Sequence, residues 1–156
     1  MESLGKLKMT RFCGTVEYDV SKANVRLSTD HKSYIFEIEE TNATAGDTSE
    51  LEDNPSMEAF YYETAASFET LLGQDIRIPK GYDSNRQDHV ATFNLVEFED
   101  LNENIIRVLE VQPSRVRVKW TATTQDPVFY DGSKPAAIIE CETWMTAGNL
   151  TPDVAG

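Results

Sequence analysis

Apolar and polar positions alternate with a period of two along most of this chain, which is the pattern of half-buried β-strands. Over residues 8–20, Phe12, Gly14, Val16, Tyr18 and Val20 fall on one side, with Arg11, Cys13, Thr15, Glu17 and Asp19 on the other, so one strand is predicted. Turn-forming residues at 21–24 and 30–32 lead into short alternating runs at 25–28 and 34–40, completing a three-stranded meander. The clearest alternation covers residues 104–124, two runs meeting at Gln112-Pro113-Ser114-Arg115 and predicting a β-hairpin. A two- or four-residue loop there gives the same parity. Val111 then faces Val116, Leu109 faces Val118 and Ile105 faces Ala122 on the core side, while Glu110 meets Arg117 on the other. A strand over 137–146 places Glu140 and Glu142 where they can meet the row of Arg115, Arg117 and Lys119.

One segment breaks the period. Asn54 suits a helix N-cap, Pro55 the first helical position and Gly73 a C-terminal stop. Between them Met57, Phe60, Tyr61, Ala65, Phe68, Leu71 and Leu72 recur at three- and four-residue spacing, predicting an amphipathic helix over about 55–72 that packs on the sheet. Residues 90–99 read as a strand that returns through a turn at 100–103. In that register Phe93, Leu95, Ile106 and Val108 point away from the core, and an apolar patch of this kind predicts a homo-oligomer. The expected fold is a single α+β domain over residues 1–146. It has a mainly antiparallel, meander-like sheet of about seven to eight strands and one helix, with 147–156 as a flexible tail.

Composition narrows the functional classes. A chain of 156 residues with 40% apolar and 26% charged residues can bury a core of its own. Its net charge of −13 argues against nucleic-acid and anionic-membrane partners and for a basic protein partner. No Lys or Arg occurs between Lys32 and Arg77, and residues 41–53 lack apolar periodicity, so a mobile acidic loop is expected. Glu50, Glu52, Asp53, Glu58 and Glu63 are the candidate contacts of an inhibitor- or immunity-like, non-enzymatic interaction module. The absence of any apolar run of about 18 residues and of a signal-like N-terminus predicts a cytoplasmic protein without a membrane-spanning helix. Cys13 and Cys141 are too few for a disulfide framework and read as thiols.

The alternative is a small-molecule-binding or hydrolytic protein with a pocket between helix and curved sheet. Arg107 shares the predicted core-side parity and lies opposite Trp120, where it would stack on the indole. Tyr61, His89 and Asp83 are the other candidate ligand-binding residues, the last two from the polar loop 80–89. His89 beside Asp88 is the better placed of the two histidines for proton transfer. Asp83-Ser84-Asn85 lacks the glycine and the terminal glutamate of a calcium loop, and Glu140 and Glu142 oppose thiolate formation at Cys141. No nucleophile elbow or phosphate loop occurs, so no catalytic residue, metal site or cofactor is predicted.

Overall fold

A computed structural model describes residues 3–28, 33–48, 51, 53–62, 68–129 and 131–147. The strands are β1 (Gly5–Arg11), β2 (Gly14–Ser28), β3 (Ser33–Ala45), β4 (Ser56–Tyr61), β5 (Asp75–Ile78), β6 (Tyr82–Asp83), β7 (Asp88–His89), β8 (Ala91–Asn94), β9 (Phe98–Gln112), β10 (Arg115–Thr124) and β11 (Ala137–Thr146). Eight of them, β1, β2, β3, β4, β8, β9, β10 and β11, follow one another around a ring in chain order. β11 then pairs antiparallel with β1 and closes an eight-stranded barrel. Closure satisfies the backbone groups that an open sheet would leave along its two outer strands.

Alternation now has a plain meaning, because one side of each strand faces the barrel interior. Leu7 and Met9 from β1, Tyr18 and Val20 from β2, Phe36 and Ile38 from β3, Phe93 from β8, and Val118 and Trp120 from β10 are all essentially inaccessible. Burying each such side chain stabilises the fold by roughly 1.5–3 kcal/mol before the entropy of ordering is subtracted. Two polar networks lie within this interior among the described residues. At one end the guanidinium of Arg11 donates from Nε and one terminal nitrogen to both carboxylate oxygens of Asp126, at 2.9 and 3.1 Å. The same carboxylate accepts the backbone N–H groups of Val128 and Phe129, so it also shapes the loop that carries it. In the wall, Asn104 accepts the indole N–H of Trp120 at 2.9 Å and donates to the carbonyls of Ile78 and Leu101.

The predicted α+β class is therefore corrected to an all-β barrel. Residues 56–61 of the expected helix form β4 between β3 and β8, with Met57 and Ala59 turned inward and Glu58 and Phe60 outward. Met57, Phe60 and Tyr61 satisfy helical spacing, but M-E-A-F also alternates, and flanking strands supply ladder hydrogen bonds that a helix would forgo. The rest of that expectation falls partly on 63–67, outside the described residues. Gly73 does stop a helical turn, the 3-10 turn Phe68–Leu71, and its φ of 77° suits glycine.

Other boundaries move as well. The single strand expected over 8–20 is a hairpin, β1 and β2 joined through Phe12 and Cys13. Part of the expected acidic loop, Thr41 to Ala45, continues β3, and Leu51 returns to the core. The turn expected at 100–103 lies instead at 95–97, so β9 is one long strand starting at Phe98. Among the described residues no helix is long and apolar enough to cross a membrane.

The hairpin itself is kept, with a change of parity inside it. Val111 pairs with Val116 and Glu110 with Arg117 as expected, but Val118 pairs with Val108 because Leu109 is an extra residue in β9. A second irregularity near Glu103, whose φ is 52°, precedes Asn104. Each inserted residue switches the inward face by one position. Ile106 and Val108 consequently point into the core, and Phe93 and Leu95 are buried too, so these four do not form an exposed apolar patch. Any homo-oligomer must use another surface.

Candidate functional site

β5 and β8 both pair antiparallel with the same edge of β9, β5 opposite residues 104–107 and β8 opposite residues 98–100. They are two halves of one wall strand, interrupted by the excursion of residues 79–90. The chain re-enters the wall at Gly81, whose carbonyl accepts the amides of Val90 and Ala91. A Cβ on Gly81 would lie 2.6 Å from the Ala91 carbonyl oxygen, which is why this crossing takes glycine. On its other side β8 pairs with β4 up to Ala59, and the amide of Phe60 donates to the Val90 carbonyl. Among the described residues no ladder joins β4 to β5 beyond that point. Among the described residues the barrel wall is split there.

An open cleft of about 430 Å³ occupies the split. Its floor contains Ile78, Pro79 and Val90, and its walls include the rings of Phe60, Tyr61, Tyr62 and Tyr82. Among the described residues three cations, Arg77, Lys80 and Arg86, line it, with Asp83 as the one carboxylate. The guanidinium of Arg86 lies 3.5 Å from the centroid of the Tyr62 ring, and Tyr62 stacks on Phe60 at 6.2 Å. Such a guanidinium-on-ring stack is a preformed planar surface. Burial pushes the Tyr62 phenol up, with Arg86 opposing and Asp88 and Asp83 adding to the rise, so its hydroxyl stays a donor at neutral pH. Arg77 reaches Asp75 at 3.4 Å and Arg86 reaches Asp83 at 3.7 Å, whereas Lys80 has no ion-pair partner among the described residues.

The hairpin of β6 and β7 carries part of this lining. Asp83 accepts the backbone amides of Asn85 and Arg86 at 2.9 and 3.2 Å, fixing the tight loop from which Arg86 projects. On the second strand of the ribbon, directly opposite Tyr82, His89 bonds Asp100 through Nδ1 at 2.8 Å.

Of the five residues expected around a ligand, Tyr61 and Asp83 meet at this cleft. His89 is on the same hairpin but turned to Asp100. Trp120 is buried in the barrel and bound to Asn104, and Arg107 is half exposed on the outer face with its Nε 2.7 Å from Asp75. The expected stacking of Arg107 on Trp120 is not found, because the Leu109 bulge turns Arg107 outward. The pocket is accordingly not between helix and sheet. Phe60, Tyr62, Arg77, Lys80 and Arg86 were missed; the polar density of residues 80–89 was the available signal, whereas a strand end at 60–62 had none.

Of the expected partner contacts, Asp53 is exposed, Glu58 is half buried directly opposite Glu37, and Glu50, Glu52 and Glu63 lie outside the described residues. Burial pushes the Glu58 carboxyl up, Glu37 adds to the rise, and Arg26 opposes it. Cys141 is buried and its thiol is pushed up by desolvation and by Glu142. Among the described residues no group of three or more His, Cys, Asp or Glu side chains is arranged to hold a metal ion. No family model, curated protein or solved structure matches this chain.

Proposed function

We propose that this barrel is a non-enzymatic binding protein for flat aromatic compounds that carry an anionic group, received in the cleft at the split wall. One observation carries the reading. In a chain with 14 Lys and Arg against 27 Asp and Glu, three cations share one cleft with four aromatic rings and, among the described residues, a single carboxylate. Rings stack on a flat apolar body, and the apolar floor excludes water from beneath it. Lys80 supplies an uncompensated charge, and the planar forks of Arg77 and Arg86 suit carboxylate, sulfonate or phosphate oxygens.

Naphthalene-2-sulfonate and its neutral sulfonamide make a matched pair of probes. The sulfonate should bind about tenfold more tightly at low salt, as one added charge contact worth about 1.4 kcal/mol implies, with the advantage shrinking as salt rises. Lys80→Ala combined with Arg86→Ala should remove that preference. Equal affinity for both probes, or no saturable binding of either, would sink the reading.

A basic protein partner recognised by the acidic stretch 37–75, and a cytoplasmic location, remain proposals from charge and composition. The first predicts a pull-down that disappears with added salt.

A further inference from the structure

We infer that the β6–β7 hairpin is a flap forming one wall of the cleft, and that the proton on His89 sets how firmly it is seated, so ligand affinity is regulated by pH. The inference rests on the cleft being the binding site. The hairpin is a two-stranded sheet of its own, with the pairs Tyr82–His89 and Asp83–Asp88, and it takes no part in the barrel ladder. Its base is pinned at Gly81, whose amide donates to Asn102 Oδ1 at 2.8 Å. Its tip rests on Tyr62, the residue just past the end of β4, through the guanidinium of Arg86. Along its second strand, the link to the barrel is His89 to Asp100.

That link has a built seat. The His89 ring packs edge-on against Tyr82 at 5.0 Å and against Phe98 at 5.7 Å, with Nδ1 directed to the carboxylate. The titratable or charged groups around it are Asp100 on β9, Tyr82 on β6 and its neighbour Asp88, whose carboxylate accepts the His89 amide. Tyr82 is the mechanical connection, since it touches His89 and also lines the cleft with Asp83, Ser84 and Arg86.

A doubly protonated imidazole makes a charge-assisted bond to Asp100, roughly twice as strong as a neutral one. Loss of a proton leaves a neutral ring, one of whose tautomers has no proton on Nδ1 to donate. Histidine is the side chain whose charge ordinarily changes between about pH 5 and 8. Acid therefore seats the flap, and alkali loosens it.

Titration of the whole protein with naphthalene-2-sulfonate, an anion throughout this range, tests the inference at pH 5.5 and 8.5. Affinity should fall about three- to tenfold from the lower to the higher pH, the difference between an ionic and a neutral hydrogen bond. His89→Gln and, from the other side of the pair, Asp100→Asn should each bind with little pH dependence, near the weaker level. A wild-type protein with no slope, or variants that keep it, would overturn the flap while leaving the binding site standing. A wild type that binds at neither pH, or a Lys80→Ala and Arg86→Ala double variant that binds as well as wild type, overturns the site itself and the flap with it.

Discussion

Arg11 and Asp126 show most directly how much depends on single residues here. Their side chains are 3% and 0% exposed, so removing one partner strands a charge in the barrel end. Arg11→Ala should cost about 3–5 kcal/mol in denaturant unfolding, whereas a paired apolar replacement of both residues should recover much of it. Desolvation raises the Asp126 carboxyl, but the Arg11 hydrogen bonds and the amides of Phe129 and Val128 outweigh it and hold it below the ordinary aspartate range. A depressed native value means that this stability is fully present above the unfolded value, near pH 3.9, and is lost as the pH falls through the native one. Glu58 has the opposite sign. Its carboxyl is raised in the barrel, so ionisation at neutral pH works against the fold. Glu58→Gln should stabilise the protein at pH 7, and the gain should vanish in melts below about pH 4.3, where the unfolded carboxyl is also protonated.

Among the elements, β9 decides the most. Leu109 lies outside the register that pairs Val108 with Val118 and Glu110 with Arg117, and it reverses the inward face between the two halves of the strand. Deleting Leu109 should turn Ile106 and Val108 outward and Arg107 inward and abolish cooperative unfolding. Leu109→Ala keeps the residue count and should cost only about 1 kcal/mol, as expected of a half-buried site. The same strand holds the wall near its second irregularity through Asn104. Asn104→Ala would leave the Trp120 N–H without its acceptor and the carbonyls of Ile78 and Leu101 without their donor. A loss of about 1–3 kcal/mol is the expected outcome for a buried polar group left unpaired.

As a whole molecule, the barrel joins its first and last strands. β1 is held between β2 and β11, so the closing contact links residues 5–10 to residues 138–143. Removing β11 by ending the chain before Ala137 should therefore leave an unfolded protein, even though every other strand is present. Far-UV circular dichroism should give a β-type spectrum without the helical double minimum. Refolding should fall in the millisecond-to-second range typical of all-β proteins with long-range pairings.

Local alternation was enough to identify the 104–124 hairpin, with Val111 against Val116 and Glu110 against Arg117. It also set Glu140 and Glu142 towards the row of Arg115, Arg117 and Lys119, and Glu142 reaches Arg117 at 2.8 Å. Those features depend on neighbours in sequence or on side-chain period, and both are written in the chain. The parity of Ile106, Val108 and Arg107 was not legible, since a bulge costs one residue and leaves no mark in composition. Nor was β4, because residues 56–61 fit either period, and the choice fell to the edges of β3 and β8 that hydrogen-bond it. The cleft was half legible: the polar loop 80–89 marked one wall. That Tyr62 and Lys80 line one cleft follows only from closing the ring with an interrupted strand. Sequence determined which residues alternate and where charge collects; tertiary pairing decided which side was inside and where the wall stayed open.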